Sequence, residues 1–227
     1  MKKIMMMALV FASITHADLL ITMVEDGDLS SAPRFVEIYN TGSSAVDLDA
    51  VDIRLGRSLN GADPVYSDLT GTIAAGGFAY LITTEDETQF VACYGSGLTL
   101  ITAVQADGNG DDAYILSVGR GDTILDVFGV SGTDGTGANW EYTDGVMRRS
   151  NSNTVASASF NYATPDAGAP GVGLTGWSFT DLNGVAEGNY STTAPIGTWA
   201  AVPEPAVLSM VGLGGLLILV VRRFYGK

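Results

Sequence analysis

Short apolar runs, separated by clusters of Gly, Asn and Asp, dominate this chain and constrain its fold most. The runs are rich in Val, Ile, Tyr and Phe, which favour strands, whereas Gly, Asn and Asp favour the tight turns between strands. In residues 51–57 the apolar Val51, Ile53 and Leu55 alternate with other residues, which places them on one face of a strand. The pattern predicts an all-β fold, either a sandwich or a barrel.

The runs predicted as strands are residues 19–24, 34–40, 51–57, 78–83, 98–104, 113–118 and 123–130, followed by a weaker pair at 139–143 and 145–149. In the second run, Val36 and Ile38 are the predicted core face, with Phe35, Glu37 and Tyr39 on the opposite face. The run 113–118 is apolar on both faces, which favours a central strand.

Few helices are expected in the body of the chain. Residues 85–93 are predicted as one short helix, because Thr84 offers a cap and acidic residues follow it. Beyond residue 150 apolar runs become sparse, although Phe160, Trp177 and Phe179 indicate further packing against the strands. Residues 191–202 have the composition of a linker.

The N-terminus has the layout of an export signal. Lys2 and Lys3 precede an apolar run at 4–14, and a small residue, Ala17, ends the segment. This predicts a secretory signal peptide over residues 1–17, handled by the Sec translocon and cut by signal peptidase between Ala17 and Asp18. A membrane anchor is the alternative, but the run of about 11 residues is well short of the roughly 20 that span a bilayer.

A second apolar segment lies near the C-terminus. Residues 206–221 carry no charge, and Arg222 and Arg223 follow them. As a helix with about 1.5 Å rise per residue, the segment spans roughly 24 Å, a mismatch with the ~30 Å hydrocarbon core that a bilayer absorbs by thinning. The sequence therefore predicts one transmembrane helix at 206–221, with its basic end in the cytoplasm.

The region between these two ends is strongly acidic. The whole chain has a net charge of −14, and its lysines lie only at the ends, at positions 2, 3 and 227. The cationic residues of the body are Arg34, Arg54, Arg57, Arg120, Arg148 and Arg149. Such a surface repels phosphates, so no nucleic acid partner is expected. It suits solvation, or contact with divalent cations or polycations. Arg148 and Arg149 are expected to pair with the acidic surface, and an anion site is the alternative.

The scarce reactive residues exclude several enzyme classes. The single cysteine, Cys93, has no partner for an internal disulfide and lies in an apolar stretch that predicts burial. The single histidine, His16, lies in the predicted signal peptide. The mature chain would therefore lack Ser-His-Asp and Cys-His nucleophile systems and His-ligated zinc. We expect no enzymatic activity, and the remaining alternative is a hydrolase that works with carboxylates alone.

The C-terminal segment contains the triplet Pro203-Glu204-Pro205, the apolar span, and Arg222 and Arg223, in that order. In these features it resembles the PEP-CTERM sorting signal of Gram-negative bacteria. It implies processing by an exosortase, a membrane protease-transferase, so that anchoring would be transient. It also implies delivery to the cell surface or to an extracellular matrix such as that of a biofilm. A plain single-pass anchor is the alternative.

Short segments of the body match a known domain pattern: residues 35–42, 46–48, 76–82, 109–116, 126–129 and 147–150, together with Trp140. Through them the body resembles the lamin-tail domain in its bacterial secreted branch. The resemblance implies an immunoglobulin-like β-sandwich with its core at 18–150, inside a domain of residues 18–190. Residues 49–51 depart from the family pattern, where a Gly-Trp-like turn and a core aromatic are expected.

An acidic loop, with Asp107, Asn109, Asp111 and Asp112, offers the clustered oxygen ligands that calcium prefers. It does not match an EF-hand, whose twelfth position would here be Val118 instead of Glu. The loop is also a strong turn former, so its carboxylates could instead bind backbone amides. No cofactor is expected, and calcium is kept as an alternative.

These features together predict an exported, non-enzymatic protein of the cell surface or extracellular matrix, with the sandwich as an adhesion or structural module. The alternative is a surface module that binds calcium or an exopolysaccharide.

Overall fold

We describe a computed structural model of the chain over residues 19–27, 32–160 and 169–200. Within these residues the chain folds mostly into β-sheet with few and short helices, as the sequence predicts. The strands are β1 Leu19–Asp26, β2 Arg34–Asn40, β3 Val46–Asp47, β4 Ile53–Ser58, β5 Val65–Asp68, β6 Thr72–Ile73, β7 Phe78–Ile82, β8 Leu100–Thr102, β9 Ala113–Val118, β10 Thr123–Phe128, β11 Gly145–Arg149 and β12 Trp177–Asp181. The α-helices are α1 Leu48–Val51, α2 Glu87–Tyr94 and α3 Tyr190–Thr193, and 3-10 turns lie at Leu59–Gly61, Val104–Ala106 and Glu187–Asn189.

Two larger sheets organise the described strands. One has six strands in the order β12-β11-β1-β2-β7-β8, and the other has four in the order β10-β9-β4-β5. Among these strands the pairing of β7 with β8 is parallel and the other pairings are antiparallel. The prediction that residues 113–118 form a central strand is confirmed, because β9 lies between β10 and β4.

The main hydrophobic core lies where the two sheets share their apolar faces. Val36 and Ile38 of β2 are fully buried in it, which confirms them as the core face of that strand. The side chains that fill this core from both sheets include Leu19, Ile21, Val24, Ile53, Leu55, Leu116, Phe128 and Met147. Burial of apolar side chains from both sheets is what drives the sheets together.

The opposite face of the six-stranded sheet is covered as well. A second buried cluster there contains Met23, Phe35 and Tyr80 of the sheet, packed with Phe90 of α2 and Tyr190 of α3. We call α2 together with residues 182–200 the outer layer. Strand β2 carries aromatic side chains on this face, so the face needs to be covered from solvent. The outer layer supplies that cover.

Residues 191–200, which the sequence predicts as linker, belong to this packed layer. Ala194 and Trp199 are 1% and 3% exposed. The Trp199 ring lies 5.0 Å from that of Tyr39, and its Nε1 donates to the Ser150 carbonyl at 3.1 Å. The domain therefore extends nearly to the last residue that the structure describes.

The predicted strand at 51–57 begins two residues later. Residues 48–51 form α1 instead, because the Asp47 carboxylate caps the helix by accepting from the Ala50 N–H at 3.1 Å. Asp52 ends the helix in the left-handed conformation, with φ 59°. Val51 is consequently 37% exposed, whereas Ile53 and Leu55 face the core as expected.

The predicted strand at 139–143 is wrong. These residues form turns, in which Glu141 N donates to Ala138 O and Tyr142 N donates to Gly110 O. Trp140 and Tyr142 are nevertheless fully buried and belong to the main core. The alternation of aromatic and polar residues in this segment resembles that of a strand. It arises because two aromatic side chains enter the core from a loop.

The sheet continues past residue 150 through β12, which pairs with β11 from Arg149 opposite Trp177 to Gly145 opposite Asp181. Phe160, Trp177 and Phe179 pack on the main core, which confirms the packing predicted for them.

A buried ion pair joins the two sheets. Arg149 of β11 lies 2.5 Å from Asp126 of β10, and both side chains are nearly inaccessible to solvent. Instead of pairing with the acidic surface, as predicted, Arg149 thus binds a buried carboxylate. Its guanidinium also lies 4.8 Å from the centre of the Trp177 ring.

The same two side chains complete the hydrogen bonding of β1. The register between β1 and β11 ends at Met23 opposite Arg148, so that Ile21 has no partner in β11. The Ile21 N–H donates to Asp126 Oδ2 at 2.8 Å, and its carbonyl accepts from Arg149 Nε at 2.6 Å. The ion pair therefore takes the place of a missing strand segment.

Replacing one partner of this pair is expected to be costly. Arg149→Met leaves Asp126 as a buried carboxylate without its cation and should lower the free energy of unfolding by about 3–5 kcal/mol, measured by urea denaturation. The double variant Asp126→Leu/Arg149→Met should recover part of this loss, because no buried charge remains. It should stay less stable than the wild type, because both backbone groups of Ile21 then lack partners. A cost below about 1 kcal/mol for Arg149→Met, typical of an exposed pair, would contradict the assignment.

Candidate functional site

The residues predicted for signal cleavage and sorting lie outside the described residues. They are Ala17, Asp18, Pro203, Glu204, Pro205, Arg222 and Arg223, and the helix predicted at 206–221 lies outside as well. Within the described ranges, no helix is long and apolar enough to cross a membrane. The candidate sites that the structure can describe therefore belong to the body.

The predicted calcium ligands share one loop ahead of β9, but each carboxylate has a partner of its own. Asp107 Oδ1 accepts from Arg34 Nη1 at 3.3 Å, and Asp111 Oδ2 accepts from Thr136 Oγ1 at 3.0 Å. Asp112 is fully buried and accepts from the Asn60 N–H at 2.9 Å.

Arginines supply positive charge beside this loop. Arg57 Nη1 donates to the Asp107 carbonyl and lies 3.8 Å from Asp112 Oδ2. In the part of the chain that the structure describes, no group of three or more His, Cys, Asp and Glu is placed to hold a metal ion. Calcium binding by Asp107, Asn109, Asp111 and Asp112 stays a prediction.

Two adjoining clefts lie along β10, at the edge of the four-stranded sheet. The smaller, about 240 Å³, lies over the Asp126–Arg149 pair and is also lined by Trp177. The larger, about 410 Å³, is bordered by Tyr66. Both clefts are also lined by Val127, Ser159 and Phe160. Aromatic walls with hydroxyl groups between them suit a neutral ligand that has both apolar and polar faces.

The Tyr66 ring is positioned by a glycine. A Cβ atom on Gly56, the residue opposite it in β4, would come within 2.6 Å of the ring. The ring therefore rests directly on the backbone of β4. This packing leaves Tyr66 partly exposed at the border of the larger cleft.

Two glutamates are buried on the covered face of the six-stranded sheet. Glu25 of β1 is 1% exposed and Glu37 of β2 is fully buried. Glu37 lies opposite Met23, and Glu25 lies opposite Phe35, so the two carboxylates are diagonal neighbours on adjacent strands. Neither glutamate was predicted from the sequence, because Glu37 lies on the face of β2 that was not predicted as core. The sequence feature that could have predicted burial of Glu37 is its position between two aromatic residues, Phe35 and Tyr39.

The outer layer and the neighbouring strands provide the partners of these glutamates. Glu25 Oε2 accepts from the Tyr94 hydroxyl of α2 at 2.6 Å, whereas its Oε1 has no hydrogen-bond partner among the described residues. Glu37 accepts from Thr22 Oγ1 at 2.7 Å and from the Gly197 N–H at 2.6 Å. Arg148 is the cation that acts on both carboxylates.

Burial dominates the protonation of this pair. Desolvation raises the pKa of Glu25 to about 8, against the opposing effects of the Tyr94 hydrogen bond and the Arg148 charge. Desolvation also raises the pKa of Glu37, and here the Gly197 and Thr22 hydrogen bonds oppose the shift. At neutral pH Glu25 is therefore mostly protonated, which allows it to remain buried.

Cys93 of α2 belongs to the same layer. It is 5% exposed, which confirms the predicted burial, and desolvation raises the pKa of its thiol to about 11. A thiol that is neutral and buried is a poor nucleophile. The residue packs as a small apolar side chain between the helix and the sheet.

No protein-family model matches the chain, and no curated protein matches its sequence.

The Glu25 carboxylate predicts a dependence of stability on pH. Its pKa rises from 4.5 in the unfolded chain to about 8 in the folded one, so its stabilising contribution is fully present below pH 4.5 and is lost as the pH rises through about 8. At about 1.4 kcal/mol per pH unit the loss is on the order of 4–5 kcal/mol. Glu25→Gln should remove this part of the pH dependence of the free energy of unfolding, measured by urea denaturation across that range.

Glu87→Gln, an exposed change on α2, is the matched control and should follow the wild type at every pH. If Glu25→Gln retained the slope of the wild type, the buried carboxylate would not be the group that titrates.

Proposed function

We propose that the chain is an exported, non-enzymatic protein of the cell surface or extracellular matrix of a Gram-negative bacterium. The predicted signal peptide would send it through the Sec translocon, and an exosortase would process the tail that carries Pro203, Glu204 and Pro205. The described body would be the delivered part and would serve as an adhesive or structural module. Its core needs no disulfide, because the single cysteine, Cys93, is free and buried, which supports a self-sufficient module.

The proposed fold of this module is an immunoglobulin-like β-sandwich of the lamin-tail type. Two sheets that share one core are consistent with it. The segments that carry the resemblance act as framework. In the first of them, the Asn40 amide donates to the Ser44 and Ile73 carbonyls, and its Oδ1 accepts from the Gly42 N–H at 2.9 Å. Trp140, quoted for the same resemblance, is buried in the core.

A structural role is also supported by the positions and partners of the buried carboxylates. A hydrolase that works with carboxylates needs two of them facing its substrate. Glu25 and Glu37 instead lie beneath the outer layer, and Asp126 is bound to Arg149. Each of these carboxylates is bound by groups of the protein itself.

The observation that carries the proposal is the packing of the last described residues, Trp199 and Ala200. The Trp199 ring contacts that of Tyr39 at an interplanar angle of 56°, and its Nε1 donates to the Ser150 carbonyl. The Ala200 N–H donates to Asn151 Oδ1 at 3.3 Å. The sorting triplet begins at Pro203, directly after these anchors. Cutting within the tail would leave every contact of the described core in place, as a disposable sorting signal requires.

Replacing Pro203-Glu204-Pro205 by three alanines should block processing. The variant should retain the tail and stay in the membrane fraction, whereas the wild type should lose the tail and reach the surface or matrix, as followed by immunoblot of cell fractions. Val104→Ala, an exposed change in the body, is the control and should behave as the wild type. Normal tail loss in the triple-alanine variant would reject the sorting signal.

A second candidate function is binding of an exopolysaccharide. The observation that favours it is the pair of clefts along β10, where Tyr66, Phe160 and Trp177 offer ring surfaces for the apolar faces of sugars and Ser159 offers a hydroxyl group.

A glycan array should then show saturable binding by the purified protein. Tyr66→Ala should weaken that binding by about tenfold, the value of one lost ring contact. Val51→Ala, an exposed change on α1, is the control and should bind as the wild type does. Binding that is absent, or that is unaffected by Tyr66→Ala, would reject this function.

A further inference from the structure

The outer layer carries a sequence pattern that is recognised by enzymes that attach glycans to asparagine. The pattern is Asn, then any residue except proline, then Ser or Thr. Of the asparagines in the chain, Asn189 alone has a hydroxyl residue two positions later, Ser191, and the residue between them is Tyr190. A pattern this short also arises by chance, so its place in the fold decides whether it can act as a site.

The structure places both reactive residues of the pattern at the surface. Asn189 and Ser191 are exposed. Tyr190 between them is 1% exposed and belongs to the buried cluster that also contains Phe90 of α2. The buried ring thus anchors the segment to the outer layer, and the residues on either side of it remain accessible to a partner.

The fold holds Asn189 by its backbone. Its N–H donates to the Ala186 carbonyl at 2.8 Å, and its own carbonyl accepts from Thr192 Oγ1 at 2.8 Å. Although Asn189 directly precedes α3, its side chain makes no hydrogen bond that caps this helix. A bulky group on the side-chain amide therefore leaves these backbone contacts in place.

Glu187 adds a negative charge beside Asn189. It begins the 3-10 turn that Asn189 ends, and it is exposed as well. A carboxylate at this position can form a charge-assisted hydrogen bond with a cationic group of an enzyme. Residues 187–191 thus present a carboxylate, an amide and a hydroxyl group at one place on the surface.

We propose that Asn189 is a site of N-linked glycosylation, modified by an oligosaccharyltransferase that uses a glycan carried on a lipid diphosphate. In the transfer, Asn189 Nδ2 forms a bond to the anomeric carbon of the first sugar and gives up a proton. The bond from that carbon to the diphosphate breaks, and the lipid diphosphate leaves with the electron pair. The inference rests on the proposed export, which brings the chain to the side of the membrane where the transfer takes place.

The local structure also determines when the glycan is attached. An enzyme that binds Asn189 and Ser191 together needs their side chains side by side, whereas residues two apart on a helical turn do not face each other. The four residues of α3 are too few for a helix that is stable by itself, so the segment is free to extend until Tyr190 is packed. Attachment therefore precedes the packing of the outer layer, and the glycan then lies on the surface of that layer.

The test uses the full chain in Gram-negative cells that contain an oligosaccharyltransferase and its lipid-linked glycan, and in matched cells without the transferase. Intact mass and peptide mass spectrometry report the glycan and its position. In the first cells the exported wild type should gain the mass of one glycan on the peptide that contains Asn189. In the second cells it should gain none.

Variants of the pattern separate recognition from a general effect on folding. Asn189→Gln and Ser191→Ala should abolish the gain in mass, whereas Ser191→Thr should keep it, because threonine supplies the same hydroxyl group. Glu187→Gln should lower the glycosylated fraction several-fold. Asn183→Gln, an exposed change in the same layer but outside the pattern, is the control and should match the wild type.

Failure of the export and failure of the site can be told apart. A wild type that keeps residues 1–17 has not been exported, and the purified full chain is then diluted from urea into the transferase and the lipid-linked glycan. Transfer to Asn189 there rejects the export alone, and no transfer rejects the site as well. An exported wild type without a glycan, or a glycan that persists in Asn189→Gln, also rejects the site. An unchanged glycosylated fraction in Glu187→Gln rejects the role of that carboxylate.

Discussion

The contact between Asp126 and Arg149 determines how the two sheets meet. Apolar burial supplies most of the attraction between the sheets, but it has no direction and does not by itself fix which strands lie together. The ion pair fixes this, because Asp126 lies in β10, Arg149 lies in β11, and both bind the backbone of Ile21 in β1. Two buried charges are costly to desolvate, and several hydrogen bonds with good geometry offset that cost here.

Once β1 and β11 are fixed in this way, the other face of the six-stranded sheet needs its own cover. That face carries Phe35 and Tyr39 but also Glu25 and Glu37, so the cover must satisfy carboxylates as well as apolar side chains. The outer layer does both, through the Tyr94 hydroxyl and the Gly197 amide. The cover contains the last described residues, and this connects the stability of the sheet to the segment that leads to the predicted sorting triplet.

The sequence predicted the elements that depend on local pattern. Strands with clean alternation or a continuous apolar run, such as β2 and β9, were predicted with their observed limits. The weaker run at 145–149 was also predicted with the limits of β11. Elements that depend on distant partners were missed, because β12 forms by pairing with β11 and the segment 182–200 is held by packing on the sheet. At 139–143 an alternating pattern arose from side chains buried in a loop. The buried glutamates were missed because the sequence does not show that an outer layer covers Glu37.

The central claim is that the described domain is a delivered product whose two end segments are removed. It is tested most directly by the intact mass of the protein recovered from the surface or matrix fraction of the producing cells. The account predicts a chain that begins at Asp18 and lacks residues 206–221. A chain recovered only from the membrane fraction, with residues 206–221 still attached, would contradict it.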